Sequence, residues 1–271
     1  MTFSIDHLLT VTTEREAARA ELTRLGFALT ERGEHPGRGS SNHLMFFERC
    51  YWELLSIDEP LPGNRALLEN ANALAGCALR TMDAERDAAS ARVAGAQPQA
   101  LETVTRPVRV GGDWRTARFT IAPLRLPPSV RAHFFFCQHL TPELVWPAPA
   151  QRHPNGALRV KSLYVVGPEE ETARAALGPL LGAGGGNEPL IRYVAREAFA
   201  SRFGRGVSGA GDSSERLAQN PGVWLGAVEL QVRDLEECRS LLTAHGISHR
   251  REPGTLVPEC EALGHPLIFS D

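Results

Sequence analysis

The sequence predicts an α+β fold made of tandem βαβββ modules, because a strand–helix pattern and a strand–hairpin pattern each occur twice. The first pattern begins at residues 5–11, an apolar run typical of a strand. Thr13 and Glu16 follow at the spacing of a capping box, in which Thr caps a helix and Glu reaches back. Apolar residues then recur at helical spacing as far as Leu25, and Gly26 is a typical helix stop.

The same elements return further along the chain. Residues 12–18 match residues 83–89, where a strand again leads into an acidic, alanine-rich helix start. Residues 43–57 and 133–147 each contain a His, an apolar strand, a short polar break, and a Glu followed by two aliphatic residues. The extra residues of the second copy fall within 98–130. Internal repetition marks repeated structural units, so we predict two modules of the form β-α-β-β-β.

The C-terminal half shows a weaker version of this pattern. A segment rich in Pro and Gly follows Trp146 and is typical of a linker. Residues 158–182 and 225–247 each then repeat the strand–helix unit. We therefore expect residues 1–150 to hold two paired modules and residues 151–271 to hold two degenerate ones.

Composition and charge exclude several classes of protein. The formal net charge is −3 and the pI is near 6.3, which lacks the basic signature of a nucleic-acid-binding protein. No run approaches the roughly 20 apolar residues that cross a bilayer, and the chain start lacks the features of a secretory signal. The five cysteines are widely spaced without a CxxC pair, which favours free thiols in a reducing compartment. We expect a cytoplasmic protein that binds neither nucleic acid nor membrane.

Three motifs carry a family resemblance: residues 5–9 (IDHLL), 51–55 (YWELL) and 138–146 (QHLTPELVW). Together with the βαβββ repeat they resemble the vicinal oxygen chelate superfamily, which groups glyoxalase, bleomycin-resistance and extradiol-dioxygenase proteins. The resemblance implies that two modules pair into curved, cup-shaped sheets. It also implies a divalent metal ion in the cup, bound by His and Glu side chains on the first and last strands, and a small-molecule substrate.

Carried over to this chain, the resemblance assigns His7, Glu53 and Glu143 as metal ligands, with the two glutamates as candidate catalytic bases. The fourth ligand position falls on Ala78, which has no donor atom, and His139 is the candidate for the missing nitrogen. Such a set suits Fe, Mn, Zn, Ni or Mg. Alternation along a strand predicts that the neighbour of His7, an aspartate, faces the other side of the sheet.

The remaining histidines and one glycine-rich motif are further candidates for a functional role. His43, His133 and His153 are candidates for the substrate pocket. Residues 204–209 match GxGxxG but lack a βαβ context, so we predict no dinucleotide site there. The C-terminal half has Ala227 at the position of the first-strand ligand, and we expect no metal in that half. The other four histidines are expected at the surface: His35, His245, His249 and His265.

Three functions remain open from the sequence. The first is a metal-dependent enzyme of the lyase, isomerase or dioxygenase type that acts on a small oxygenated metabolite. The second, which Ala78 favours, is a metal-free protein that sequesters a small molecule in the same cup. The third is an interaction protein whose C-terminal modules form the surface of a homodimer.

Overall fold

The computed structural model describes residues 2–146, 151–204 and 222–271. Residues 205–209 of the GxGxxG segment lie outside these ranges. Across the described ranges, no helix is both long enough and apolar enough to cross a membrane.

The N-terminal half forms one strongly curved sheet. Its strand order is β2-β3-β4-β1-β5-β10-β8-β6, and β7 also pairs with β8. The elements are β1 (Ile5–Thr12), α1 (Arg15–Arg24), β2 (Gly33–His35), β3 (Ser40–Phe46), β4 (Tyr51–Ile57), α2 (Arg65–Leu68), β5 (Ala73–Thr81), α3 (Ala84–Ser90), β6 (Gln97–Pro98), β7 (Glu102–Val110), β8 (Asp113–Arg125), β9 (Val130–Arg131) and β10 (His133–His139).

The repeat is visible in how these strands pair. The first strands of the two modules, β1 and β5, run antiparallel at the centre of the sheet. Each is flanked by the last strand of its own module in parallel, β4 beside β1 and β10 beside β5. The outer strands curl toward each other. Their approach is seen in the ion pair between Arg38, just after β2, and Glu102 at the start of β7. The α+β fold with paired modules in a cup-shaped sheet is confirmed.

The C-terminal half forms a second sheet with the order β12-β11-β13-β16-β15-β14, to which β9 adds through β13. Its elements are β11 (Ala157–Gly167), α4 (Glu170–Leu181), β12 (Leu190–Ala195), α5 (Arg196–Phe203), β13 (Val223–Val232), α6 (Leu235–Ala244), β14 (His249–Glu252), β15 (Thr255–Pro258) and β16 (Leu267–Ser270). The order β13-α6-β14-β15-β16 matches a complete βαβββ module, whereas the described part of the chain before it has β11, α4, β12 and α5.

One continuous core joins the two sheets. Apolar side chains from one face of each sheet and from α1, α3, α4 and α6 belong to a single buried cluster. The Phe27 and Phe269 rings, from opposite ends of the chain, have centroids 6.0 Å apart. On the other face of the second sheet, Phe199 and Phe203 of α5 pack with Tyr164 and Ala227. The concave face of the first sheet remains open.

The end of the second module differs from the sequence prediction. The predicted hairpin strand through Glu143 is instead a 3-10 helix at Pro142–Leu144. Pro142 lacks the N–H that a strand ladder would need, and it favours the first turn of a helix. The last strand of this module is therefore β10, so the sequence match between residues 43–57 and 133–147 does not correspond to equivalent strands.

Candidate functional site

A cavity of about 530 Å³ lies in the cup of the first sheet. Its wall is mostly apolar and includes Leu9, Leu44, Leu55, Phe119 and Phe135. A largely apolar cavity of this size with a few polar groups is the usual form of a small-molecule site. The polar groups come from β1, β2, β3, β4 and β7, which the curvature of the sheet brings together.

His7 on β1 and Glu53 on β4 face each other in this cavity. Parallel pairing places His7 opposite Tyr51 and Leu9 opposite Glu53. The His7 ring stacks on the Tyr51 ring, with centroids 4.3 Å apart and planes 13° from parallel. Nε2 of His7 lies 3.6 Å from Oε2 of Glu53. That distance is too long for a hydrogen bond.

Asp6 orients His7 from behind. Nδ1 of His7 lies 2.8 Å from Oδ1 of Asp6, and both side chains are buried. Burial by itself raises the pKa of Asp6, but hydrogen bonds from His139 and His7 and the charges on these rings outweigh it and hold the pKa well below its usual range. In a neutral His7 ring, the Asp6 carboxylate would favour the tautomer with the proton on Nδ1, so that Nε2 is the nitrogen available to a metal ion.

A break in the strand explains why Asp6 reaches this position. The pairing of β1 with β5 shifts register between Ile5 and His7. Such a bulge interrupts the alternation of side chains between the two faces of a sheet. The aspartate predicted to face away from the cup therefore bonds to both His7 and His139.

Asp6 also belongs to a second group of donor atoms, with Cys137 and His139 of β10. One ligand atom from each of these residues lies within 4.8 Å of the other two, and the group could hold a metal ion. Nε2 of His139 lies 3.0 Å from Asp6 Oδ1, while its Nδ1 is buried without a hydrogen-bond partner among the described atoms. Burial, together with the charges of Asp6 and Glu53, raises the pKa of the Cys137 thiol well above its usual value.

The other oxygen of Glu53 is held by β3. Asn42 donates from Nδ2 to Glu53 Oε1 at 2.7 Å. The same amide lies 3.2 Å from His35 Nε2, so that nitrogen accepts and Nδ1 donates to Ser40 Oγ at 3.0 Å. Burial lowers the pKa of His35, in agreement with a neutral ring.

These residues fit a divalent metal ion. Two ligands of one ion, each about 2.0–2.2 Å from it, would place their donor atoms close to the observed separation of His7 Nε2 and Glu53 Oε2. In the second module, Ala78 pairs with His7 across β1 and β5, and Cys137 pairs with Arg80 as Glu53 pairs with Leu9. The candidate ligands at the equivalent strand positions are therefore one His, one Glu and one buried thiol, with Ala78 at the fourth position.

Comparison with known proteins agrees with the fold. The sequence profile described as a glyoxalase-like domain matches residues 5–181, more than half of the chain. The chain belongs to this glyoxalase-like domain family. The search of curated proteins finds no match.

Solved structures share the fold of this glyoxalase-like protein at low sequence identity. A mutant of 4-hydroxymandelate synthase from Streptomyces coelicolor is 13% identical with a TM-score of 0.63, over 100% of this chain and 94% of that one. A hypothetical protein from Staphylococcus aureus is 11% identical with a TM-score of 0.59, over 99% and 98%. A xylose isomerase-like TIM barrel/4-hydroxyphenylpyruvate dioxygenase fusion protein is 14% identical with a TM-score of 0.54, over 98% and 48%.

Of the predicted ligands of the glyoxalase-like site, the structure brings His7 and Glu53 together and places His139 beside Asp6. Glu143 is exposed on the 3-10 helix after β10 and does not line the cavity. Its predicted roles as ligand and base rested on the incorrect strand match, and Cys137 takes the equivalent strand position.

The three histidines predicted for the substrate pocket lie outside the cavity wall. His43 Nδ1 donates to the Thr30 carbonyl at 2.9 Å. His133 Nε2 donates to the Ala66 carbonyl at 2.8 Å. Nδ1 of His153 accepts from the Ala28 N–H at 3.1 Å, and its Nε2 donates to the Phe46 carbonyl at 3.0 Å. Each ring therefore forms a hydrogen bond to the backbone and does not line the cavity.

Sequence reasoning missed four residues of the glyoxalase-like site: Asp6, His35, Asn42 and Arg106. His35 was expected at the surface, yet it lines the cavity and is mostly buried. Asn42 alternates with His43 on β3, so strand parity could have indicated that Asn42, and not its neighbour, faces the cup. Arg106 belongs to β7, whose residues carry no repeat signal.

Proposed function

We propose that this protein is a divalent-metal-dependent enzyme that acts on a small oxygenated metabolite in the cup of the first sheet. The observation that carries the proposal is the pair formed by His7 Nε2 and Glu53 Oε2, 3.6 Å apart at the cavity wall. A buried carboxylate requires a cation or a proton. A metal ion between these two atoms would meet that requirement. It would be bound by the lone pair on His7 Nε2, the ring nitrogen that does not face Asp6.

Each residue has a distinct task in this proposal. A bound metal would act as a Lewis acid on vicinal substrate oxygens. His7 and Glu53 would hold it, Asp6 would keep the proton of His7 on Nδ1, and Asn42 would fix Glu53 through Oε1. The apolar wall would exclude water from the substrate. The structural neighbour named for a dioxygenase supports a reaction of that type, beside the lyase and isomerase types expected from the family.

A metal-free binding protein is the second candidate, and one observation favours it. The two positions of the second module that would complete the ligand set are Ala78 and a buried thiol, Cys137. A protein of this kind would bind its ligand without turnover.

Metal content separates the two candidates. We expect protein purified without chelator, or reconstituted with Fe²⁺, Mn²⁺, Zn²⁺, Ni²⁺ or Mg²⁺, to bind near-stoichiometric metal as measured by elemental analysis. Glu53→Gln should lose most of it. Glu143→Gln is the matched control, because this exposed glutamate was assigned the same role from sequence, and it should retain the metal. Wild-type protein without metal after reconstitution would leave the binding protein as the better function.

Two further expectations accompany the proposal. All five cysteines are free and buried, which supports a reducing location such as the cytoplasm. A homodimer remains a prediction that sedimentation of the purified protein can check.

A further inference from the structure

Arg106 is a buried cation that faces the cavity. It lies on β7, and its side chain lines the cavity opposite the strands that carry His7 and Glu53. The residue is only 8% exposed. Within residues 2–146, 151–204 and 222–271, its guanidinium forms no hydrogen bond or ion pair.

The other charged groups of the cavity are already engaged. Arg38 at the rim pairs with Glu102. Glu53 receives a hydrogen bond from Asn42 and faces His7. The side chain of Arg106 is mostly buried and its guanidinium faces the cavity without a counter-ion, so an anion that enters the cavity would find an unpaired cation there.

We propose that the cavity binds a small carboxylic acid with an apolar body, and that its carboxylate pairs with Arg106. This inference rests on the proposed function in one respect, because it takes the same cavity as the substrate site. A planar guanidinium matches a carboxylate through two parallel hydrogen bonds. Phe119 and Phe135 in the wall suit an aromatic or aliphatic body. Arg38 already pairs with Glu102, so Arg106 is the one unpaired arginine among the described residues of the cavity wall, which favours a monoanion over a dianion such as a phosphate monoester.

Calorimetric titration with simple probes tests the proposal. Phenylacetate should bind wild-type protein more tightly than neutral phenylacetamide, by about ten- to hundredfold, the usual range for a hydrogen bond to a charged group. Arg106→Gln should remove this preference. Arg109→Gln changes an exposed arginine on the same strand and should leave the preference intact. Arg106→Lys, which keeps the charge but loses the two-pronged geometry, should retain only part of it.

Folding of the variant is checked independently. Arg106→Gln removes a buried charge without a partner, so its melting temperature should equal or exceed that of the wild type. Equal binding of acid and amide, including no binding of either, would overturn the proposal. So would an acid preference that survives in Arg106→Gln, or phenyl phosphate binding more tightly than phenylacetate.

One further variant separates this inference from the metal proposal. Glu53→Gln should lose metal yet keep the preference for phenylacetate over phenylacetamide, because the pairing of the carboxylate with Arg106 does not need the metal. If the protein binds no metal but its acid binding depends on Arg106, this inference holds and the proposed metal-dependent function fails. Metal binding without acid preference would leave only the proposed function.

Discussion

Asp6 carries a carboxylate that serves three neighbours. It accepts hydrogen bonds from His7 and His139, and Arg80 lies 3.4 Å from its other oxygen. At the scale of residues, the family resemblance assigned His7 and Glu53 as metal ligands, and the structure places both side chains at the cavity wall, although the repeat match that contained Glu53 was incorrect. The sequence could not predict Asp6, since a one-residue bulge leaves no mark in an apolar run.

Substitution of Asp6 should weaken metal binding without removing a proposed ligand. Asp6→Asn keeps the size of the side chain but no longer fixes the His7 tautomer. Loss of such an outer carboxylate typically costs about 10–100-fold in affinity, and titration with Mn²⁺ or Zn²⁺ would measure it. Asp83→Asn is the control, because Asp83 only caps α3 and Asn caps equally well. Unchanged affinity in Asp6→Asn would remove Asp6 from the site.

At the scale of elements, the packing of β2 against β3 and β7 shapes the closed side of the cup. Gly33 begins β2 and pairs with Asn42 on β3. A Cβ on Gly33 would lie 2.5 Å from Asn42 Oδ1 and 3.0 Å from Arg106 Nη1. The strand–helix units could be predicted from periodicity because they are local. The approach of β2 to β7 joins residues distant in sequence and has no local signal.

Gly33→Ala should therefore strain the site. The new methyl group would push on the Asn42 amide that holds Glu53, and overpacking of this kind costs about 1–3 kcal/mol. Urea denaturation would measure the loss in free energy of unfolding. Gly63→Ala is the control, because Gly63 lines the cavity and has open space at its Cβ position. Equal stability of the two variants would contradict this account of Gly33.

The whole molecule is held together by polar as well as apolar contacts between its halves. Trp52 Nε1 donates to Thr10 Oγ1 at 2.9 Å, and Thr10 Oγ1 lies 2.8 Å from His265 Nε2. His265 was predicted at the surface but is buried, because the C-terminal half covers the back of the first sheet. Composition and repeats predicted two halves with a division near residue 150. They could not predict that the halves share one core, and we propose that both fold as one cooperative unit.

Acid should weaken this junction. Burial lowers the pKa of His265 from its ordinary 6.5 to about 4, so the unfolded chain takes up a proton at a higher pH than the folded one. The stabilising effect of a neutral His265 is complete above pH 6.5 and is lost as the pH falls toward 4, by up to about 3 kcal/mol. Urea denaturation between pH 7.5 and 4.5 would follow it.

A pair of variants isolates this contribution, because other buried histidines also titrate. His265→Asn should flatten the decline in the free energy of unfolding. His245→Asn, at an exposed position, should leave the pH profile unchanged. Identical profiles for the wild type and His265→Asn would contradict the assignment.

The phenylalanines of α5 close the face of the second sheet that corresponds to the open cup of the first. The two sheets thus differ in one respect. The first sheet keeps a cavity on this face, whereas α5 covers the corresponding face of the second sheet, which packs behind the first. Under the proposed function, selection for chemistry would act mainly on the N-terminal strands, while the described C-terminal strands would need only to preserve shape. Diversification of ligand preference in such a scaffold can proceed in one half without loss of the support on which that half is folded.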